Sequence, residues 1–321
     1  MFEFIDIIKV LSTILITNSH YANIWPISAM AMGGLLGNVL FFAVSGFCLY
    51  EIKQSFLIWY SKRIVRIYPV LWIVNLIGLA IGFYQINSFQ RFVKFFIYPT
   101  YYHFIESMML LYIIYYVLIY LHRKTQIKIE TIMFAVFLIY VFTYLFIFNK
   151  TYYHIDVVEE PMVRFLYLEG MLMGAYFKMY RKNKEENKNG VKKDFYKILI
   201  CFPLYVVSKI LFSRIEQLAS LQIFNQIIIF VLAFLLFRMF YRWESLKKKS
   251  LDEYRFGKVI RLLAKVTLEI YLVQYLVYYC MPKLMFPINF VIVTMTIILA
   301  AMIINKIRNG LTRKVHIVLR G

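Results

Sequence analysis

Long apolar runs, separated by short polar and basic segments, make up most of this chain. A run of about 20 apolar residues can cross a bilayer as a helix, whereas barrel strands show alternating patterns, which are not found here. The runs predict ten membrane-spanning helices, at residues 4–20, 30–51, 68–86, 104–121, 131–148, 162–179, 195–212, 221–240, 262–281 and 287–305. The predicted fold is therefore an all-α polytopic integral membrane protein.

Three segments between the spans have patterns of their own. Residues 54–67 are amphipathic and are predicted to lie at the membrane interface. Residues 89–103 are rich in aromatic residues and predict a re-entrant or interfacial piece. Residues 180–194 are strongly polar and predict a cytoplasmic loop. We expect residues 1–321 to form a single transmembrane domain, with no appended soluble domain and no cleaved signal peptide.

Composition and charge support the membrane class and give an orientation. The chain is 62% hydrophobic and only 17% charged, whereas a soluble domain carries about a quarter charged residues. The net charge is +20, and lysine and arginine are concentrated in every second loop between the predicted spans. An excess of these residues is typical of cytoplasmic loops. This alternation predicts that both termini are cytoplasmic. It also accounts for the positive net charge, so a nucleic-acid-binding function is not expected. The predicted location is the plasma or inner membrane, as a multi-pass protein.

The first predicted helix carries an unusual polar stripe. At about 100° per residue, its polar side chains fall within about 80° of one another. They are Asp6, Lys9, Thr13, Thr17 and His20. Ionisable groups inside a membrane usually face a protein interior or a wet cavity, so the stripe is a candidate site. The alternative is that Lys9 reaches lipid headgroups and His20 is a loop residue just beyond the span.

Other polar residues are candidates of the same kind. Asn38 and Ser45 are seven residues apart and share one face of the second predicted helix. Lys62, Arg63 and Arg66 lie at the predicted cytoplasmic surface, where they could bind phosphates or anionic lipid headgroups.

Two further features concern partners inside the membrane and metals. Glu269 and Gln274 lie within a predicted span. Glu269 is a further candidate site residue, whereas ion pairs or interhelical hydrogen bonds are the simplest explanation for both. The three cysteines stand singly in apolar runs, and no metal-binding motif is present, so no metal is expected.

Five motifs follow one another in a characteristic order. They are Asp6, Lys9 and His20; FF-x-x-SGF at 41–47; R-x-x-R-x-x-P at 63–69; FLYLEGMLMG at 165–174; and TLEIYLVQ at 267–274. The ordered set resembles the membrane acyltransferase-3 family, whose members include O-acetyltransferases of bacterial surface polysaccharides. Lys9 stands where the family usually has arginine, and Gln274 stands where many members have histidine.

This resemblance implies an O-acyltransferase of the cell envelope. It would transfer an acyl group, most often acetyl from acetyl-CoA, from the cytoplasm to a hydroxyl of a surface or exported glycan. Lys62, Arg63 and Arg66 would bind the phosphates of CoA. The acceptor glycan at the outer face, the lipid bilayer and polysaccharide-assembly proteins would be the partners.

The resemblance also implies roles for individual residues. His20 would act either as general base on the acceptor hydroxyl or as a transiently acylated nucleophile, and the residues alone do not separate these roles. Asp6 and Lys9 would complete the catalytic set, with Asn38 and Ser45 as candidate oxyanion stabilisers. A transporter or flippase for glycan precursors without acyl chemistry, or a structural partner in polysaccharide assembly, remains the alternative.

Overall fold

A computed structural model describes residues 2–150, 161–180, 188–281 and 284–318, and no strand occurs within these ranges. About four-fifths of the described residues, 81%, are helical. Twelve α-helices are found in the described ranges. They are α1 (Glu3–Ser19), α2 (Gly34–Leu49), α3 (Phe56–Ala80), α4 (Phe89–Phe92), α5 (His103–Thr125), α6 (Ile129–Phe146), α7 (Met162–Met179), α8 (Lys188–Arg214), α9 (Ile223–Leu246), α10 (Gly257–Lys265), α11 (Thr267–Cys280) and α12 (Ile288–Val318).

Each of the ten predicted spans contains a helix, but not all are long and apolar enough to cross a bilayer. Seven stretches of the described chain meet that condition. They are Ser28–Leu49, Phe56–Ala80, His103–Thr125, Ile129–Phe146, Asn189–Arg214, Ile223–Leu246 and Ile288–Gly310. The other three predicted spans correspond to α1 and α11, which have 17 and 14 residues, and to α7, which carries Arg164, Glu169 and Lys178. The polytopic class is supported, while the number of ten and the orientation stay predictions.

Three predicted boundaries differ from the structure. The segment 54–67 is not separate from the following span, because α3 runs unbroken through Pro69. Proline inside a helix removes one backbone hydrogen bond and can be tolerated at that cost. The span predicted at 262–281 is divided at Val266 into α10 and α11. Helix α8 begins at Lys188, inside the stretch predicted as a loop, and residues 181–187 lie outside the described residues.

The helices form two compact units. The first contains Met1–Ser19, Met32–Lys53 and Met108–Ile260, and the second contains His20–Ala31, Gln54–Ser107 and Arg261–Gly321. In the first unit, α2 packs against α1, α7 and α9, and α8 packs against α9. In the second unit, α3 packs against α11, α12 and the π-helical turn Val93–Ile97 that follows α4.

Two glycines bring α2 and α7 into backbone contact within the first unit. A Cβ atom on Gly46 would lie 1.9 Å from the carbonyl oxygen of Met171, and one on Gly174 would lie 2.0 Å from that of Ala43. Small residues allow such close approach of membrane helices. Gly46 therefore serves helix packing, and its partner is the GMLMG stretch of α7.

Ion pairs join the ends of neighbouring helices in the first unit. The carboxylate of Asp194 on α8 accepts hydrogen bonds from Arg238 at 2.6 Å and from Arg242 at 2.8 Å, both on α9. Glu3, the first residue of α1, accepts hydrogen bonds from Lys247 and from the backbone N–H of Leu251. Removing one partner of such a pair would leave an uncompensated charge, which is strongly destabilising where the other partner is buried.

Candidate active site

The polar stripe of α1 begins with an ion pair. The Lys9 ammonium lies 3.7 Å from a carboxylate oxygen of Asp6, one helical turn earlier, and both side chains are largely buried. The hydroxyl of Thr13 donates to the Lys9 carbonyl at 2.9 Å, along the same face. The predicted neighbourhood of Asp6 and Lys9 is therefore present. Their pairing compensates two charges that would otherwise be costly to bury.

His20 lies just beyond the first helix, as in the alternative prediction. Helix α1 ends at Ser19, so His20 is the first residue after it, and the span predicted at 4–20 is one residue shorter at this end. His20 belongs to the second unit, where its Nε2 atom lies 3.3 Å from the Tyr275 hydroxyl of α11. The two rings meet edge to face with centroids 5.0 Å apart. A hydrogen bond at one ring nitrogen orients the imidazole and influences which of the two nitrogens carries the proton.

The two candidate oxyanion stabilisers lie on α2 in the first unit. Asn38 donates from its amide to the Tyr167 hydroxyl of α7 at 2.9 Å, and Phe42 stacks on the same Tyr167 ring at 4.5 Å. Asn38 therefore joins two helices through its amide nitrogen. Ser45 is half-buried, two turns further along α2.

The basic residues predicted to bind CoA phosphates all lie on α3 in the second unit. The Arg63 guanidinium sits 4.4 Å from the Trp59 ring centroid and donates to the Trp59 carbonyl at 2.8 Å. Lys62 and Arg66 are exposed. The structure thus leaves the head groups of Lys62 and Arg66 accessible, while that of Arg63 stacks on its own helix.

Glu269 is fully buried on α11 and paired with α12. One of its carboxylate oxygens accepts hydrogen bonds from Arg308 at 2.6 Å and from Asn305 at 3.0 Å. This interhelical pairing was the simpler of its two sequence-based explanations. Gln274, on the same helix, is also buried, and within the described part of the chain neither of its amide atoms has a hydrogen-bond partner.

Sequence reasoning missed a hydrogen-bond network around Asn75 on α3. The Asn75 amide donates to the Phe95 carbonyl at 2.6 Å, and its oxygen accepts from the Tyr102 hydroxyl at 3.1 Å. The Tyr102 hydroxyl also contacts that of Tyr84. Asn75 is a single polar residue in a long apolar run. Since a buried amide needs partners, that isolation was the one available indication.

The same face of α3 holds the π-helical turn in place. Tyr68 and Trp72 donate to the carbonyls of Ile97 and Phe96, while Asn75 donates to that of Phe95. The donors are spaced four and three residues apart, so they share one helix face. The acceptors are three successive carbonyls at a helix end, which lack donors within their own helix. The segment predicted as re-entrant or interfacial is thus fixed to α3.

Fold and candidate residues together define a class: an all-helical, multi-pass membrane protein with buried ionisable groups on several helices. Residues 2–305 match the family described as an acyltransferase domain, of the acyltransferase-3 type. The chain therefore belongs to the membrane acyltransferase-3 family, and it is an acyltransferase. Neither a curated protein nor a solved structure matches it.

Proposed function

We propose that this protein transfers an acetyl group from cytoplasmic acetyl-CoA to a hydroxyl of a surface or exported glycan at the outer membrane face. The observation that carries the proposal is the contact between His20 and Tyr275, in a chain that matches an acyltransferase domain over residues 2–305. An oriented imidazole is the usual group for moving a proton to or from a reacting hydroxyl at neutral pH.

In this reaction His20 accepts the proton of the acceptor hydroxyl. The hydroxyl oxygen then attacks the thioester carbonyl carbon, a C–O bond forms, and the C–S bond to CoA breaks. The sulfur leaves as a thiolate and takes up the proton, so that free CoA and the acylated glycan are the products. Tyr275 acts as a positioning residue, because it contacts the imidazole from its own helix. The nucleophilic alternative, in which His20 carries the acetyl group, needs the same orientation.

The charged residues of α1 and α3 support the donor side of the proposal. Lys9, held by Asp6, supplies a positive charge within a largely buried stretch of α1. Such a charge can stabilise the negative charge that develops during acyl transfer. Exposed Lys62 and Arg66 suit the phosphates of CoA, and arginine can bind a phosphate through two parallel hydrogen bonds. The acetyl group and the glycan acceptor are part of the proposal and follow from the family resemblance.

The test compares His20→Ala with His122→Ala, expressed to equal levels in cells that lack the native protein. His122 contacts Tyr50 and the Ile127 carbonyl, neither of which is a candidate residue, and it serves as the matched control. We expect His20→Ala to reduce glycan acylation by at least about a hundredfold, because general acid–base catalysis contributes roughly 10²–10⁴-fold. The measurement is mass spectrometry of released surface glycans.

Acylation at the wild-type level in His20→Ala would refute the role of His20. A glycan that is exported in normal amount but never acylated, even by the wild-type protein, would favour the transporter or flippase function. Tyr275→Phe should shift the pH profile of acylation, whereas a purely structural role would lower activity equally at every pH.

A further inference from the structure

A cavity of about 670 Å³ lies in the second unit, beside the end of α3 and the start of α5. Its lining combines aromatic rings with basic side chains. These are Phe83, Tyr84, Tyr101, Arg91, Lys94 and His103. A volume in this range suits a ligand of a few sugar rings, and a pocket of aromatic side chains with a few charged groups is the usual form of a small-ligand site.

The charge of the cavity is positive and is not neutralised locally. Within the described chain, no ion pair joins Arg91 or Lys94 to a carboxylate, and the Arg91 guanidinium donates only to the Gln85 carbonyl, at 3.1 Å. Glu106 lies 3.9 Å from the His103 ring. Two exposed cations on one wall favour an anionic ligand, such as a carboxylate or a phosphate.

The predicted position of Arg91 and Lys94 on the outer side of the membrane also favours an anionic ligand. Charge alternation predicts that residues 87–103 lie on the outer side, where membrane proteins carry few lysines and arginines. Arg91 and Lys94 are thus not explained by the orientation of the chain. They are one helical turn apart and both line the cavity.

The aromatic wall provides a surface for a sugar ring. The Tyr84 ring packs against those of Phe83 and Tyr101, with centroids 4.7 and 5.4 Å away, and Tyr101 is 44% exposed. The C–H face of a pyranose packs on such rings, while tyrosine hydroxyls and the cations contact its polar edge.

The wall is rigid, and it is connected to His20 inside the same unit. Tyr84 is held by the Tyr102 hydroxyl, and Gly78 leaves room for its ring, since a Cβ there would lie 2.3 Å from it. The Tyr102 ring lies 6.1 Å from that of Tyr275, whose hydroxyl contacts His20. A preformed site loses less conformational freedom when a ligand binds.

We propose that this cavity binds an anionic saccharide, with a sugar ring on Tyr101, which packs against Tyr84, and with its carboxylate or phosphate on Arg91 and Lys94. Its identity as the acceptor of acyl transfer rests on the function proposed above. The binding itself does not.

The test uses the full-length protein in phosphatidylcholine nanodiscs at low salt. Two probes are compared by calorimetry: a tetrasaccharide of alternating glucuronate and N-acetylglucosamine, and the neutral N-acetylglucosamine tetrasaccharide. We expect the charged probe to bind about tenfold tighter, as two accessible charge contacts allow. The double variant Arg91→Gln/Lys94→Gln should lose this preference, and Tyr101→Ala should weaken both probes. The control Lys150→Gln/Arg214→Gln removes the same charge on the same predicted side, outside the cavity, and should keep the preference.

Equal affinity for the two probes, or a preference that survives in Arg91→Gln/Lys94→Gln, would overturn the proposal. Retention of phosphatidylglycerol that depends on Arg91 and Lys94 in native mass spectrometry, with no saccharide preference, would assign the cavity to a lipid headgroup and overturn it too. The function proposed for His20 and the saccharide site proposed here can each be refuted without the other. His20→Ala that still acylates refutes catalysis by His20 and leaves binding intact, whereas loss of the charge preference leaves the His20 result unchanged.

Discussion

The contact between α2 and α7 makes Gly174→Ala a sharp test of the fold. A Cβ at Gly174 would lie 2.0 Å from the Ala43 carbonyl oxygen and 2.6 Å from the Phe47 backbone nitrogen. Ordinary van der Waals contact begins near 3.4 Å, so the two backbones would have to separate by about 1.4 Å. No side chain can rotate to relieve the clash, because both obstructing atoms belong to the main chain.

The expected cost is therefore about 3 kcal/mol, at the upper end of the range for overpacked cores, or about a hundredfold in the folding equilibrium. The assay is reversible unfolding in mixed micelles of increasing sodium dodecyl sulfate content, followed by tryptophan fluorescence. The matched control is Gly310→Ala on α12, where nothing lies within 4 Å of the added carbon. Alanine at an open helix position should be neutral or favourable by about 0.5–1 kcal/mol.

A Gly174→Ala protein within 0.5 kcal/mol of wild type would refute the close helix contact, since no compensating change is available at a backbone atom. A loss of stability in Gly310→Ala equal to that in Gly174→Ala would show a general sensitivity to helix substitution instead. A large loss confined to Gly174→Ala would confirm that the SGF and GMLMG motifs act as one packing element.

Two further predictions concern α3. Asn75→Leu should lower stability by about 1–3 kcal/mol in thermal unfolding, because it leaves the Phe95 carbonyl without its donor and the Tyr102 hydroxyl with Tyr84 alone; an unchanged midpoint would contradict the network. Arg66→Gln should raise the KM for acetyl-CoA about tenfold and leave the KM for the acceptor unchanged, as expected for one lost phosphate contact. Lys53→Gln, which removes another exposed charge of the predicted cytoplasmic side, is its control, and equal donor KM values in both variants would argue against phosphate binding by Arg66.

Much of the helical framework could be predicted because it depends on local pattern. Apolar runs of the right length predict membrane helices whatever their partners, and a helix was found in each predicted span. The division at Val266 and the continuity through Pro69 could not be predicted in this way. Both depend on how each segment packs against its neighbours. At Pro69, a proline is compatible with either a broken or a continuous helix.

Among the candidate residues, too, local pattern predicted some features and tertiary packing decided others. The spacing of Asp6 and Lys9 predicted that they share a face, because three residues make about one helical turn. Spacing did not decide between a helical and a loop position for His20, because a helix end cannot be located to one residue from the sequence. The burial of Glu269 was expected from its run, yet its partner Arg308 was not, because a periodic pattern indicates a face and not what packs against it.

By itself, the sequence determined the membrane class, the helices and the family, because run length, charge and ordered motifs are properties read along one chain. Only the tertiary structure decided which glycines meet a neighbouring backbone, that Asn75 joins α3 to the turn at 93–97, and that a cavity opens beside Tyr84. The physical reason is that these contacts join residues far apart in sequence. Their energies depend on distances of a few tenths of an ångström, which no local pattern encodes.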